Sequence, residues 1–597
     1  MEGIVVSTNI SKQKRDALLD KIQQIKKFIS AGPQDENTAN LLTYIGELTK
    51  EINGKKYGLV FEEHREKIDE LLEENAPILV EQEDLFIDNG GEMNFLIEGD
   101  NLAALKLLEK THKGKIDVIY IDPPYNTGDE DFIYDDNYVD KEDVFRHSKW
   151  LSFMEKRLKI ARKLLSNDGI IFISISDIEV SQLRLICDEI FLQENWIATL
   201  AIEMSKTQGM KVKAAQDGQI VKNHEYILIY QSHQNDSKRL PLYDKTEPWD
   251  DHFNCFIFKQ DNSFIKTSIT EYIQSNYKAI YEEFDSYKLL NKGKIDGNAI
   301  SKGIIISDNI KNFFYGENAS FIYQEMACSI KVPEEIEGEL KEGKIISYDK
   351  YLLTMTSGGK LRQYRNLKEN LHFSNDYISE YCRTTIRGAL WKGFYSDMMN
   401  VQKEGNVDFK NGKKPIRLMQ QLLMWANKPN STVLDFFAGS GSTGHSVLDL
   451  NSKQNQKQKF ILCTNNENQI CEKSTYQRLK NVIEKDKYPA SLKYFKIDFL
   501  PIKDKMYYEY ADELLEHVKE LVELENAIDF NTNKSVAIVL DDDELAEFVE
   551  NIADYPECKT LYMGHDVLTS YQQEQTIKAH GITINTVPDY YYRDLAN

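Results

Sequence analysis

The stretch KIDVIYIDPPY, residues 115 to 125, decides the fold. Ile116 to Ile121 is an almost unbroken apolar and β-branched run, which reads as a strand buried on both faces and stopped by a rigid Asp-Pro-Pro turn. Before it lie FLIEGD (95–100) and NLAALKLLEKTH (101–112). After it come FMEKRLKIARKLL (153–165), GIIFISIS (169–176) and EVSQLRLICDEIF (179–191). Apolar strands alternating with amphipathic helices predict a parallel sheet covered on both faces, the doubly wound α/β class.

The alternation lapses between about 200 and 405, where Lys, Asn, Tyr, Gly and Asp crowd segments such as KTQGMKVKAAQDGQIVKNH. It returns in KPIRLMQQLLMWA, STVLDFFAGSGSTGHSVLDL and QKFILCTNNE. The two α/β pieces together have the size of one domain, so a single sheet interrupted by an insert is expected. Charged, helix-patterned segments fill residues 1–80. The expected organisation is a helical arm (1–80), a first sheet segment (81–199), an insert (200–405), a second sheet segment (406–504) and a small acidic α+β domain (505–597).

Composition narrows the class. With 41% hydrophobic and 28% charged residues in 597, the chain is ordinary globular protein of several domains. No apolar run approaches the roughly 18 residues that cross a bilayer, and the N-terminus shows no secretory pattern. Seven dispersed cysteines without a CxxC pair predict neither a disulfide framework nor a zinc site, and a reducing, cytoplasmic setting is expected. The net charge of -23 argues against a polyanionic partner until its distribution is read. Residues 501 to 597 hold 21 acidic and 7 basic side chains, whereas 351 to 420 hold 12 basic and 6 acidic.

Asp122-Pro123-Pro124-Tyr125 follows a strand directly, and ligands of open α/β sheets bind beyond the strands' carboxyl ends. An exocyclic amine on a flat ring is a poor nucleophile, because its lone pair is delocalised, and acceptors can draw it toward tetrahedral geometry. Asp122 can accept one N–H and the Pro123 carbonyl the other, with the Pro-Pro pair fixing that carbonyl. Tyr125 offers a stacking face. No metal is needed. The bland alternative is a stiff turn at a strand end.

The second motif, Asp435-Phe436-Phe437-Ala438-Gly439-Ser440-Gly441, also ends a strand and opens a helix. Glycines permit close backbone approach, and a helix N-terminus favours an anion, so a nucleotide-like cofactor is expected against this loop. A Gly-rich loop alone also suits a dinucleotide. No Lys follows at the spacing of a phosphate-binding loop, which disfavours a kinase or ATPase.

Together DPPY and the downstream FAGSG resemble the amino-methyltransferases of DNA, and their order resembles the beta group. LIEGDNLAALKLL, FIYDDNY, HEYILIY, KKPIRLMQQLL, FILCTNNENQICEKSTYQRL and TVPDYYYR are similar to the modification (Mod) subunits of type III restriction-modification systems. The resemblance covers most of residues 80 to 500. It implies a Rossmann-like sheet dependent on S-adenosylmethionine, a target-recognition domain in the insert, and direct methyl transfer to the N6 of a flipped adenine in double-stranded DNA. It implies that Asp122, Pro123, Pro124 and Tyr125 hold the base. Asp435, Phe437, Ala438, Gly439, Ser440 and Gly441 would line the cofactor, with Asp100 and Asn101 at its adenine and Lys414-Pro415 at its methionine end. Glu467 is the candidate for the ribose, where the sequence departs from the simplest pattern. Asp100 also reads as a helix N-cap.

Within the insert, Arg362, Arg365, Arg383, Arg387 and Lys392 are the candidate DNA contacts, with solvated surface charge as the alternative. Partners implied by the resemblance are a second copy of the chain and a restriction (Res) subunit. Rival readings are a cytosine-N4 methyltransferase, a methyltransferase of protein or RNA amides, and a non-catalytic DNA specificity subunit.

Overall fold

The computed structural model describes residues 10–32, 36–53, 61–128, 133–134, 137–261, 263–340, 344–407, 413–503, 511–564 and 566–587. Parts of FIYDDNY and nearly all of TVPDYYYR lie outside them. A ten-stranded sheet dominates. In chain order its strands are β1 (Asn75–Glu81), β2 (Glu92–Glu98), β3 (Ile116–Ile121), β4 (Leu165–Ile175), β5 (Trp196–Glu203), β6 (His224–Gln231), β7 (Leu390–Trp391), β8 (Thr432–Asp435), β9 (Lys459–Thr464) and β10 (Ala490–Pro501). They stand in the order β1-β10-β2-β9-β8-β3-β4-β6-β5-β7. The strands from β10 through β4 run parallel, whereas β6 is antiparallel to both its neighbours and β1 to β10.

Both faces are covered. On one, α1 (Asn101–His112), α2 (Arg146–Leu164) and α3 (Val180–Cys187) contribute Leu105, Leu108, Trp150, Leu158 and Leu183 to a continuous apolar core. On the other, α4 (Ile416–Ala426) and α5 (Ser442–Gln454) contribute Leu418, Leu422, Val447 and Leu448. The interruption places β8 from the second sequence segment beside β3 from the first, with Leu434 opposite Ile119. The DPPY and FAGSG turns therefore emerge side by side at the same sheet edge, though more than 300 residues separate them.

Four expectations need correction. β1 belongs to the sheet rather than to the arm, because NAPILVE is a buried strand. β5 and β6 carry the sheet past 199, and β7 rejoins it before 405. Tyr226 to Tyr230 reads as a buried strand from its apolar run, but its place in this sheet is not announced, because an antiparallel strand has no crossover helix. The last strands, Val536–Val539, Thr560–Met563 and Thr583–Thr586, are parallel with helices between them, a small α/β unit rather than α+β. The insert proper has its own aromatic core around Trp249, Phe253, Phe256, Phe313 and Phe314, under a six-stranded antiparallel sheet. Among the described residues no helix is long and apolar enough to cross a membrane.

Candidate active site

β3 ends at Ile121, and the next side chain, Asp122, enters a cluster drawn from three distant segments. Lys414 Nζ lies 3.2 Å from Asp122 Oδ1 and 3.0 Å from Glu225 Oε2. It also donates to the Tyr125 hydroxyl at 2.8 Å. That hydroxyl sits 3.0 Å from each carboxylate and has one proton to give, so at any moment it serves one of them while Lys414 serves the other. Burial raises the Asp122 carboxyl above the usual range, Lys414 opposes this and Glu225 adds to it. For Glu225 burial works in the same direction, but Lys414 and the Tyr125 hydroxyl outweigh it and its carboxyl titrates low. Burial disfavours the Lys414 charge, yet the two carboxylates hold its ammonium well above the ordinary lysine value.

The backbone of the tetrapeptide is equally fixed. Trp150, fully buried on α2, donates its indole N–H to the Pro124 carbonyl at 2.7 Å. Next along, Asn126 is buried in the left-handed region with φ +56° and donates to Glu179 at 2.5 Å, an oxygen that also lies 2.5 Å from His147 Nδ1. Among the described residues, neither Asp122 Oδ2 nor the Pro123 carbonyl carries a hydrogen bond. Two acceptors at one turn are thus unspent, beside a hydroxyl, an ammonium and an indole N–H that are all engaged.

Beside this turn lies the glycine loop. Asp435 is buried and caps it, Oδ1 accepting from the Phe437 N–H at 3.0 Å and Oδ2 from the Thr443 hydroxyl at 2.5 Å. Burial pushes its carboxyl up to about 7. Gly439 and Gly441 have φ +50° and +73°. A Cβ on Gly441 would stand 3.1 Å from Thr475 Cγ2, so that position requires glycine twice over. The Gly439 and Ser440 N–H groups donate to nothing among the described residues. Ser440 and Ser442 are held from behind by Arg478, fully buried, with Nη1 2.8 Å from the Ser442 hydroxyl.

The Asp100 turn joins the same edge. Asp100 is indeed the N-cap of α1, Oδ1 accepting from Leu102 N at 2.7 Å and Ala103 N at 3.3 Å. Its side chain is still 36% exposed, and Oδ2 lies 3.7 Å from Arg157 Nη2, an ion pair too long to be a hydrogen bond. Asn101 donates to the Phe436 carbonyl at 3.0 Å and accepts from Arg157 Nε at 2.5 Å. Arg157 is buried, forms a two-pronged pair with Glu66 at 2.9 and 3.0 Å, and lies over Phe153, whose ring meets Phe437 at 5.9 Å. Two turns from opposite ends of the sequence are thereby locked into one wall.

The other expected residues have the following surroundings. Lys414, expected beside the cofactor's methionine end, has its ammonium bound into the Asp122 cluster, and Pro415 is the N-cap of α4. Glu467 is exposed on a short turn and has no hydrogen bond among the described residues. Arg387 is not available to DNA: its side chain is 1% exposed and spans Asp244, Gln421 and the Asn375 carbonyl, stapling the insert to α4. Arg383 binds the Glu247 carbonyl at 2.7 and 3.1 Å. Arg362 and Arg365 pair with Glu325 and Glu369 at 3.3 and 3.5 Å. Lys392 is exposed. Glu225, Trp150, Arg157 and Arg478 were missed. Glu225 lies in HEYILIY, a stretch read as a buried strand and noted for its resemblance, with nothing that marks its acid as part of a site, and the others sit on helices whose patterning suggests only core or solvent.

Comparison with known proteins bears on this edge. The family model described as DNA methylase matches residues 116–476, more than half of the chain, and spans both turns. The probable type III restriction-modification enzyme HindVI Mod subunit of Haemophilus influenzae is 31% identical over 362 residues, 59% of this chain and 46% of that protein. The type III restriction-modification enzyme EcoPI Mod subunit of Escherichia phage P1 is 29% identical over 407 residues, 63% of this chain and 58% of that one. The type II methyltransferase M.KpnI of Klebsiella pneumoniae is 27% identical over 425 residues, 67% of this chain and 90% of that protein. The chain spans about half the length of the first two relatives.

Proposed function

Because this chain belongs to the DNA methylase family, we propose that it transfers a methyl group from S-adenosylmethionine to the N6 amine of adenine in double-stranded DNA, as the modification subunit of a type III restriction-modification system. The observation that carries the reaction is the pair of unspent acceptors, Asp122 Oδ2 and the Pro123 carbonyl, on a turn held in place through the Tyr125 hydroxyl and the Pro124 carbonyl. An amine with two N–H groups matches that pair. Its lone pair leaves the ring as both hydrogens are drawn toward the acceptors, and the raised Asp122 carboxyl is a suitable base for the departing proton. Tyr125, pinned through its hydroxyl, holds one ring face for an extruded base to stack on.

The glycine loop and the Asp100 turn fit the methyl donor: Gly439 and Ser440 offer N–H groups that donate to nothing among the described residues, Asp100 a partly exposed carboxylate whose Oδ2 faces Arg157 without a hydrogen bond, and Phe437 an aromatic edge. S-adenosylmethionine would supply an electrophilic methyl on sulfur. Gly441→Val combines a disfavoured φ with a clash at Thr475. It is expected to weaken S-adenosylmethionine binding by about tenfold or more in calorimetry, since such strain costs of order 1–3 kcal/mol.

The type III assignment follows the Mod subunits among the relatives, and with it come a second copy of the chain and a Res subunit as partners, and a cytoplasmic setting. Single-molecule sequencing of DNA from a methylation-free host expressing the chain tests it. N6-methyladenine on one strand of a short non-palindromic motif supports the assignment, and a palindromic motif modified on both strands assigns the chain to a stand-alone enzyme. The same acceptor pair would serve the N4 amine of cytosine, and N4-methylcytosine in that experiment would replace adenine as the substrate.

The acid limb of the reaction should sit above the ordinary carboxylate range, since Asp122 must be ionised to accept and its pKa is raised. Glu225→Gln removes a neighbouring negative charge, so Asp122 ionises more readily and the limb moves to lower pH. A pH profile of kcat/KM with an unmoved limb would exclude Asp122 as the titrating group.

A further inference from the structure

The segment between β5 and β6, residues 204–223, is not used by the site just described, yet it hangs from the strand that delivers Glu225. Its neck is closed by the Met204 and Ser205 N–H groups, both donating to the Asn223 carbonyl at 3.0 and 3.1 Å. Lys222 ties the neck to Asp177 at 2.5 Å, two residues past the carboxyl end of β4. Two residues beyond the neck, Glu225 reaches the Tyr125 hydroxyl at 3.0 Å. The segment therefore rises from the rim of the crevice itself.

Its composition contrasts with the rest of the chain. Against a net charge of -23, residues 204–223 carry Lys206, Lys211, Lys213 and Lys222 and one acid, Asp217, a local net of +3. Lys222 is neutralised by Asp177 and Lys206 lies over the Tyr395 ring at 3.7 Å. Lys211 bonds only to neutral oxygens, the Ser205 hydroxyl at 2.8 Å and the Lys222 carbonyl at 3.2 Å, and both Lys211 and Lys213 are exposed. Close to them in sequence, Ile220 is 102% exposed, the most exposed large apolar side chain among the described residues. Gly209 and Gly218, at φ +59° and +84°, turn the backbone on either side of the short helix Met210–Gln216.

We propose that this segment is a DNA-engaging finger, in which Lys211 and Lys213 meet backbone phosphates and Ile220 enters the base stack beside the extruded adenine. The inference rests on the adenine-methylation reading above. A base drawn to Tyr125 leaves a gap in the duplex, and an aliphatic side chain fills such a gap without needing hydrogen-bond partners. The charges that anchor it are those left without a counter-ion in an otherwise acidic chain. The mobile partner is the DNA, and Ile220 acts as a positioning residue that touches neither the methyl donor nor the reacting nitrogen.

Methyl transfer by the full chain on a duplex carrying its motif, matched or with a mismatch opposite the target adenine, tests the proposal. Ile220→Ala is expected to slow transfer on the matched duplex about tenfold or more, and the mismatch, which removes the unpairing cost in advance, restores most of the rate. Lys211→Ala with Lys213→Ala is expected to reduce the salt dependence of DNA binding by about two phosphate contacts. Equal slowing on both duplexes, wild-type rates on both, or an unchanged salt slope overturns the finger. Variants with wild-type DNA behaviour that fail to hold a restriction subunit assign the segment to a protein partner and also overturn it. Failure of the wild-type chain to modify any adenine defeats the functional reading itself, and the finger with it, and is recognised because no variant is needed to see it.

Discussion

Asp122→Ala is expected to lower methyl transfer by about a thousandfold or more while leaving S-adenosylmethionine affinity within about threefold. The large loss follows from the geometry: Asp122 supplies one of two unspent acceptors, and no other carboxylate replaces it, because Glu225 is committed to Lys414 and to the Tyr125 hydroxyl. The protein should survive the change. Lys414 keeps Glu225 as its counter-ion, so removing Asp122 leaves one positive and one negative charge in the cluster rather than an uncompensated ion. Lys414→Met is the informative contrast, since it leaves two carboxylates facing each other and should make them share a proton. Single-turnover transfer and calorimetric cofactor binding, measured on the same preparations, separate these effects.

Arg157→Ala is expected to destabilise the protein by about 3 kcal/mol, because the buried Glu66 carboxylate loses its two-pronged partner and keeps only Lys156, at 3.5 Å, as a counter-ion. The consequence reaches function through Asn101, which loses its bond from Arg157 Nε and with it the orientation that ties the Asp100 turn to the Phe436 carbonyl. Thermal unfolding should shift down sharply and cofactor affinity should fall. Adding Glu66→Gln removes the weakly compensated charge and should recover part of the stability but none of the Asn101 geometry. Full recovery of cofactor binding in the double variant would show that the Arg157 link to Asn101 is irrelevant to the cofactor wall.

What was legible in the sequence was what local physics determines. KIDVIYIDPPY announces a buried strand with a rigid turn, and DFFAGSG announces a strand end with glycines, so the parallel core and the two turns could be read directly. Asp100 reads equally as a cap and as a ligand, and it caps α1 through Oδ1 while Oδ2 lies 3.7 Å from Arg157 Nη2. The partners of these turns were not legible because they come from remote segments. The resemblance puts Lys414 at the cofactor's methionine end, and nothing local says that its ammonium closes on Asp122, 292 positions earlier. Glu225 starts an antiparallel strand that the βα alternation does not mark. Arg387 shows the converse: a basic, aromatic-rich stretch suggests DNA, whereas tertiary packing uses its guanidinium between the insert and α4.

The most direct test is in-vitro transfer of a labelled methyl group from S-adenosylmethionine to motif-bearing duplex, followed by nucleoside mass spectrometry, with the wild-type chain beside Asp122→Ala. The predicted result is label in N6-methyl-2′-deoxyadenosine alone for the wild type, and none for the variant despite retained cofactor binding. Equal labelling by the Asp122→Ala protein, or label that appears outside exocyclic amines, would contradict the account.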